Sequence, residues 1–74
     1  MTNLHAVRLE RGQTLRELAN ELGVQFQALN RWERGISHPH PGNGKKLREG
    51  LGLPLSVLLA PENENPRLQR GAEG

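Results

Sequence analysis

The residues with the most suggestive chemistry lie at positions 25–31, where amide, guanidinium and aromatic side chains occur close together. Glutamine and asparagine can pair with adenine edges, arginine with guanine, and an apolar group can contact a thymine methyl. One face of a helix through this segment would carry Gln25, Phe26, Gln27, Asn30 and Arg31. The same face could be an ordinary solvated surface. We expect it to contact DNA bases, with Gln27 and Arg31 as the strongest candidates.

Phe26 differs from its neighbours on that face because it is aromatic. Three interpretations are open for it. The ring could contact thymine methyl groups, it could meet a partner protein, or it could fold back on the core.

Polar and basic side chains also flank this face. Such residues can hold phosphates and set the register on DNA without reading its sequence. Each could equally be a solvated surface group. The predicted phosphate contacts are Thr14, Arg16, Arg34, Ser37, Lys45 and Lys46.

The histidines raise the question of a metal site. His38 and His40 flank a proline, and His5 is distant along the chain. Because a catalytic zinc site usually needs three protein ligands and the chain has no cysteine, we expect no metal or other cofactor. A loop histidine close to phosphate is the favoured alternative, and it would raise DNA affinity as the pH falls.

Two short helices joined by a glycine turn must position these side chains. Leu18, Ala19 and Leu22 share one face of the first helix, and small Ala19 permits a close helix crossing. Gly23 ends that helix in the left-handed conformation that glycine adopts most easily. The second helix has an apolar stripe of Val24, Ala28, Leu29 and Trp32. A helix-turn-helix of this kind presents its second helix outward, where it can enter a major groove.

Capping signals predict the remaining elements. A first helix covers residues 3–11, with Leu4 and Val7 facing inward. Thr14 begins the second helix with a Thr-x-x-Glu capping box, and the third helix covers residues 25–34. Residues 36–44 are rich in proline and glycine and predict a loop, which leaves a short fourth helix at 45–50. Pro54 suits the first turn of a fifth helix. Residues 61–74 predict a disordered polar tail.

Composition limits the classes of protein. The chain has 74 residues, 34% of them hydrophobic, so we expect one small helical domain at residues 1–60 whose core a partner subunit extends. No apolar run approaches the roughly 20 residues that span a bilayer, and the amino terminus is charged. We therefore expect a cytoplasmic chain, complete in itself, that does not associate with membranes. Its net charge of +2 permits phosphate binding but does not identify DNA.

Most of the chain resembles the lambda-repressor/Cro type of helix-turn-helix, the xenobiotic-response-element family. The resemblance is carried by TLRELANELGVQFQALNRWERG, with LHAVRLERG before it and KKLREGLGLPLSVLL after it. The matching residues include Arg8, Gly12, Thr14, Leu18, Ala19, Leu22, Gly23, Val24, Leu29, Trp32, Glu33, Arg34, Gly35, Pro39, Leu51 and Gly52. It implies an all-α, compact five-helix bundle of the lambda-repressor-like type, whose third helix reads the major groove. It also implies that the protein binds a palindromic operator as a homodimer.

The chain departs from the family pattern at three places. Leu15 stands where glutamine is frequent, and Gln25 stands where serine or threonine often caps the recognition helix. Gly42, Asn43 and Gly44 should shorten or loosen the fourth helix. The first two departures concern docking on DNA, and the third concerns the loop and the dimer side.

The resemblance also implies a partly buried salt bridge between Arg8 and Glu33, which makes both charges structural. Removing one partner of a buried pair leaves the other charge stranded, so Arg8 would support DNA binding through folding. Direct phosphate contact by Arg8 is the alternative.

The end of the predicted domain is more apolar than one short helix can bury. We expect a dimer face there, made of Leu53, Leu55, Val57 and Leu58. Complete burial within the monomer is the alternative.

These observations predict a sequence-specific regulator of transcription, acting as a dimeric repressor with two recognition helices about 34 Å apart on DNA. The rival hypothesis is an adaptor that binds a toxin, a polymerase or another protein, supported by Leu15, Gln25 and Phe26. An enzyme is disfavoured because no catalytic grouping or phosphate-binding glycine loop is present and the bundle has little room for a cleft. We also expect no second domain and, for that reason, no small-molecule ligand.

Overall fold

Five helices account for most of residues 1–62, the part of the chain that the computed structural model describes. Their bounds are α1 Asn3–Glu10, α2 Leu15–Leu22, α3 Phe26–Glu33, α4 Pro41–Leu51 and α5 Leu55–Leu58. Within the described residues the only β pairing is an isolated bridge between Thr2 and Pro61. The prediction of an all-α, five-helix fold with a central helix-turn-helix is therefore confirmed.

Each of the five helices contributes one fully buried leucine to a common core. These residues are Leu4, Leu18, Leu29, Leu47 and Leu58. Burying a leucine side chain contributes about 1.5–3 kcal/mol, so these five positions supply much of the driving force for folding. The core is completed by Val7, Ala19, Leu22 and Trp32.

Leu58 was predicted to lie on a dimer face, and that prediction is wrong. Its side chain has no solvent exposure, because the four-residue helix α5 packs against both α1 and α4 and turns Leu58 into the core. The three other residues of the predicted face, Leu53, Leu55 and Val57, are half-buried.

Helix α4 is longer than the sequence predicts. It begins at Pro41 rather than at residue 45, and with eleven residues it is the longest helix in the described part of the chain. Its start is defined by His40, whose ring Nδ1 accepts a hydrogen bond from the Asn43 backbone N–H at 3.4 Å, and by proline at the first helical position. The prediction of a loop is therefore confirmed for residues 36–40 and wrong for residues 41–44, and the prediction of a short fourth helix is wrong.

Two glycines inside α4 are positions of close packing rather than helix breakers. A Cβ on Gly44 would lie 2.7 Å from Cδ1 of Leu55, and one on Gly50 would collide with the side chain of Leu22. Glycine at these positions lets α4 approach both α5 and α2. The intrinsic helix penalty of glycine predicts a shorter α4, because a propensity scale takes no account of such contacts.

The residues before and after the bundle are tied together. The backbone N–H of Asn3 donates to the Ala60 carbonyl at 2.9 Å, and its side-chain amide donates to the Val57 carbonyl at 2.8 Å. At the start of the predicted tail, Glu62 donates its N–H to the Met1 carbonyl at 3.2 Å, and its carboxylate lies 2.5 Å from Nδ1 of His5. The rest of that predicted tail, residues 63–74, lies outside the described residues.

Candidate nucleic-acid interface

Helix α2 is capped at both ends, and its second cap forms the turn that leads into α3. The Thr14 hydroxyl accepts from the Glu17 N–H at 3.1 Å, and the Glu17 carboxylate accepts from the Thr14 N–H at 2.8 Å. At the other end Gly23 is left-handed with φ 75°, and its N–H donates to the Ala19 carbonyl at 2.9 Å. Ala19 is buried, and α2 packs directly on α3. The turn at Gly23 and the packing of the two helices thus hold α3 against α2.

The side chain of Lys46 reinforces this turn from α4. Its ammonium group donates to the Gly23 carbonyl at 3.0 Å, one of the carbonyls that the end of α2 leaves free. Its neighbour Lys45 lies 4.0 Å from the Glu49 carboxylate, in a fully exposed i,i+4 pair. The two lysines grouped together as phosphate contacts therefore differ: Lys46 already has a backbone partner, whereas Lys45 is held only by a surface ion pair.

Apart from the buried Glu33, helix α3 has an apolar side in the core and a more exposed polar side. Leu29 and Trp32 are buried against the other helices. Gln25, Gln27 and Arg31 are exposed on the outside, and Asn30 is half-buried beside them. Gln25 occupies the N-cap position of α3, where its side chain makes no capping bond. The four polar residues predicted to read bases thus lie together on or next to the solvent-facing side of one helix.

Phe26 is the fifth residue of that predicted set, and the structure gives it two neighbours. Its ring is half-buried and packs against the core, as one of the three interpretations held. On its other side lies Arg16, whose guanidinium carbon is 4.1 Å from the ring centroid. This is a cation–π contact between the first turn of α2 and the first residue of α3.

The Arg16–Phe26 contact is the feature of the interface that sequence reasoning missed. The two residues are ten positions apart and lie on different helices. No helical or strand period relates them, so only the fold brings them together. From the sequence, Arg16 is predicted to be either a phosphate contact or a solvated surface group.

Two cavities on the surface are each lined in part by predicted contact residues. One shallow cavity of about 360 Å³ lies at the start of α3, between Arg16, Asn20, Gln25 and Gln27, with Phe26 in its wall. A second, of about the same volume, lies beyond the end of α3 and is lined in part by Arg34, Ser37 and His38. Arg34 is exposed and Ser37 is half-buried.

A buried ion pair anchors the end of α3 to α1. Nε of Arg8 donates to the Glu33 carboxylate at 2.7 Å and its Nη2 donates at 3.1 Å, while Nη1 donates to the Gln13 carbonyl at 3.0 Å. Glu33 has no solvent exposure. The hydrogen bonds and the negative charge of Glu33 raise the pKa of Arg8 above its ordinary value, against the opposing effect of burial. These partners hold Arg8 in its charged form, and Arg8 joins α1 to α3 and to the loop before α2.

The histidines have other contacts in the structure. His40 caps α4 and His5 faces Glu62, so neither shares a cluster with His38. In residues 1–62 there is no group of three or more histidine, cysteine or acidic side chains able to hold a metal ion. None of the helices in this part of the chain is long and apolar enough to cross a membrane.

Comparison with known proteins assigns this architecture to a family. The sequence model of the Helix-turn-helix family matches residues 4–58. Uncharacterized HTH-type transcriptional regulators of Mycobacterium tuberculosis and Mycobacterium bovis are 37% identical over 71 residues, which cover 88% of this chain and 28% of theirs. The HTH-type transcriptional regulator SutR of Escherichia coli is 35% identical over 60 residues, which cover 81% of this chain and 34% of SutR.

The chain therefore spans only about a third of the length of these relatives. No solved structure matches it significantly. The family match covers α1 to α5, and the relatives are named as transcriptional regulators. The chain belongs to the lambda-repressor/Cro-like helix-turn-helix family, a family of DNA-binding transcription regulators.

Proposed function

We propose that this chain is a cytoplasmic transcriptional regulator that binds double-stranded DNA sequence-specifically, with α3 in the major groove. The observation that carries the proposal is the exposed polar face of α3. Gln25, Gln27 and Arg31 face solvent on a helix whose opposite side is buried, so they can reach base edges without disturbing the core.

Base reading is assigned to Gln27 and Arg31 first, with Gln25 and Asn30 beside them. The phosphate contacts are assigned to the flanking positions, namely Thr14, Arg34, Ser37 and Lys45, together with the early backbone N–H groups of α2. In this arrangement Arg8 and Glu33 act indirectly, by fixing where the end of α3 lies.

The mode of regulation that we propose is repression by a homodimer on a palindromic site. Two copies of α3 about one helical turn apart would occupy successive major grooves and exclude other proteins. Leu53, Leu55 and Val57 are the candidates for the dimer contact, since each is apolar and only half-buried in one chain.

The adaptor hypothesis is less well supported by the structure. Leu15 is half-buried and packs against the core, and Phe26 is covered by Arg16, so the fold accounts for two of the residues that favoured it. The names of the relatives also support DNA binding over either an adaptor or an enzyme.

The test is to select bound duplexes from a random DNA pool at low and at near-physiological salt. We expect an inverted repeat to be enriched and to persist at the higher salt. Binding that disappears with salt and leaves no motif would reflect phosphate attraction alone and would contradict the proposal.

A further inference from the structure

We propose that Arg16 and Phe26 form one base-reading unit, in which the Phe26 ring positions the Arg16 guanidinium to bind a guanine edge. The inference rests on the proposed function and adds to it a specificity-determining residue on α2, outside the recognition helix.

The geometry gives the two residues different roles. Phe26 is anchored, because its ring is half-buried against the core at the first position of α3. Arg16 is exposed, and its guanidinium carbon lies 4.1 Å from the ring centroid. The fixed ring thus restricts the flexible side chain, which lowers the conformational entropy lost when the guanidinium binds a base.

Stacking leaves the binding edge of the guanidinium free. A guanidinium carbon 4.1 Å from the ring centroid fits stacking of the planar group on the ring, an arrangement in which its N–H donors point outward in the plane. In the described part of the chain Arg16 forms no ion pair, so no carboxylate competes for these donors. A planar fork of this kind fits the O6 and N7 acceptors of guanine in a bidentate manner.

The position of the unit favours a base over a phosphate. The residues at the start of a recognition helix are those that meet base edges in the major groove, and Phe26 is the first residue of α3. Arg16 shares the shallow cavity at this end with Gln25 and Gln27, which are themselves exposed and able to read bases. The guanidinium is therefore held where base edges are expected to pass.

The test uses the 74-residue chain and the duplex that it selects from a random pool, together with every single-base-pair variant of that duplex. Arg16→Lys keeps the charge and removes the planar fork. We expect it to lose about tenfold or more of the discrimination at one G·C pair, with other positions and the salt dependence unchanged. Phe26→Leu is expected to lose discrimination at the same G·C pair. Phe26→Tyr keeps an aromatic face and is expected to retain that discrimination. Arg48→Lys, on the exposed surface of α4, is the matched control.

Each other outcome contradicts a defined part of the proposal. If Arg16→Lys retains full discrimination while Arg16→Gln weakens binding to all sequences and lowers the salt slope by about 0.9, Arg16 is a phosphate contact. If Phe26→Leu is folded by circular dichroism and discriminates normally, the ring does not position Arg16. If the unmodified chain enriches no motif, the proposed function fails and this proposal fails with it. Normal enrichment with an unaffected Arg16→Lys overturns the Arg16–Phe26 unit alone.

Discussion

The buried carboxylate of Glu33 accepts two hydrogen bonds from the guanidinium of Arg8, at 2.7 and 3.1 Å. The backbone carbonyl of Glu33 also accepts from Thr2, whose N–H lies at 2.8 Å and whose hydroxyl lies at 3.1 Å. The last residue of α3 is thus held through both its side chain and its backbone by the amino-terminal segment. The placement of α3 and of its exposed polar face depends in this way on residues that lie far from it in sequence.

Arg8→Met removes the charge but keeps most of the side-chain length. We expect it to lower the free energy of unfolding by about 3–5 kcal/mol, because Glu33 is left buried without its partner. Denaturation by urea, followed by far-UV circular dichroism, measures the loss. The pKa of Arg8 is raised in the folded state. Its contribution to the free energy of unfolding is therefore lost only when the pH rises above the ordinary pKa of arginine. The loss is therefore expected to be constant from about pH 6 to 9.

The matched control for that experiment is Arg11→Met. Arg11 pairs with Glu21, and the two side chains are 35% and 43% exposed. An exposed pair of this kind is worth less than about 1 kcal/mol. Equal losses for the two variants would show that burial of the Arg8–Glu33 pair does not matter.

Gly50→Ala tests the close approach of α4 and α2. Alanine normally stabilises a helix by up to about 1 kcal/mol relative to glycine. Here its Cβ would collide with Leu22, which lies in the core, and overpacking costs about 1–3 kcal/mol. We expect a net loss of unfolding free energy, measured by thermal or urea denaturation.

Gly44→Ala is the comparison for Gly50→Ala. Its Cβ would contact the end of Leu55, which is half-buried and has room to move, so we expect a smaller effect. Stabilisation by Gly50→Ala would mean that glycine there serves no packing role.

The sequence predicted the features that rest on local chemistry. The capping box at Thr14, the stop at Gly23 and the inward face of Leu18 and Leu22 follow from helical period and glycine conformation, and all are present. The pairing of Arg8 with Glu33 came from the family resemblance rather than from any local rule. These features define how α3 is placed in the fold.

What the sequence did not predict depends on contacts between distant residues. Helix α4 contains glycines that a propensity scale penalises and that the fold requires. Leu58 is buried because α5 inserts it between two other helices, which no count of apolar residues can show. The stacking of Arg16 on Phe26 likewise exists only once α2 and α3 are packed.

Gln25→Ser is expected to separate stability from recognition. The N-cap position of α3 has no side-chain capping bond, and serine there would accept one from the first turn. We expect the free energy of unfolding to rise by about 1 kcal/mol, measured by urea denaturation. DNA discrimination should fall in the same variant if Gln25 reads a base. Thr14→Ala, which removes an existing cap, should destabilise by a similar amount.

Val57→Lys tests the proposed dimer. Val57 is half-buried in the single chain, and a lysine there would place a charge in the contact between two copies. We expect the dimer dissociation constant, measured by sedimentation equilibrium, to rise at least tenfold without loss of helical structure. Ser56→Lys adds the same charge at an exposed position of α5 and should leave assembly unchanged. An unmodified chain that stays monomeric at every concentration would contradict the dimer.

The double variant Gln27→Ala with Arg31→Ala tests the reading face itself. Both side chains are exposed on α3, so their truncation should leave the far-UV circular dichroism spectrum helical. Each bidentate base contact is worth about 1–3 kcal/mol of discrimination, and loss of two should reduce specific binding to the non-specific level. Electrophoretic mobility shifts with the selected duplex and a scrambled duplex measure this difference. Arg48→Ala removes a positive charge from the exposed surface of α4 and serves as the control. Retention of sequence preference by the folded double variant would contradict base reading by α3.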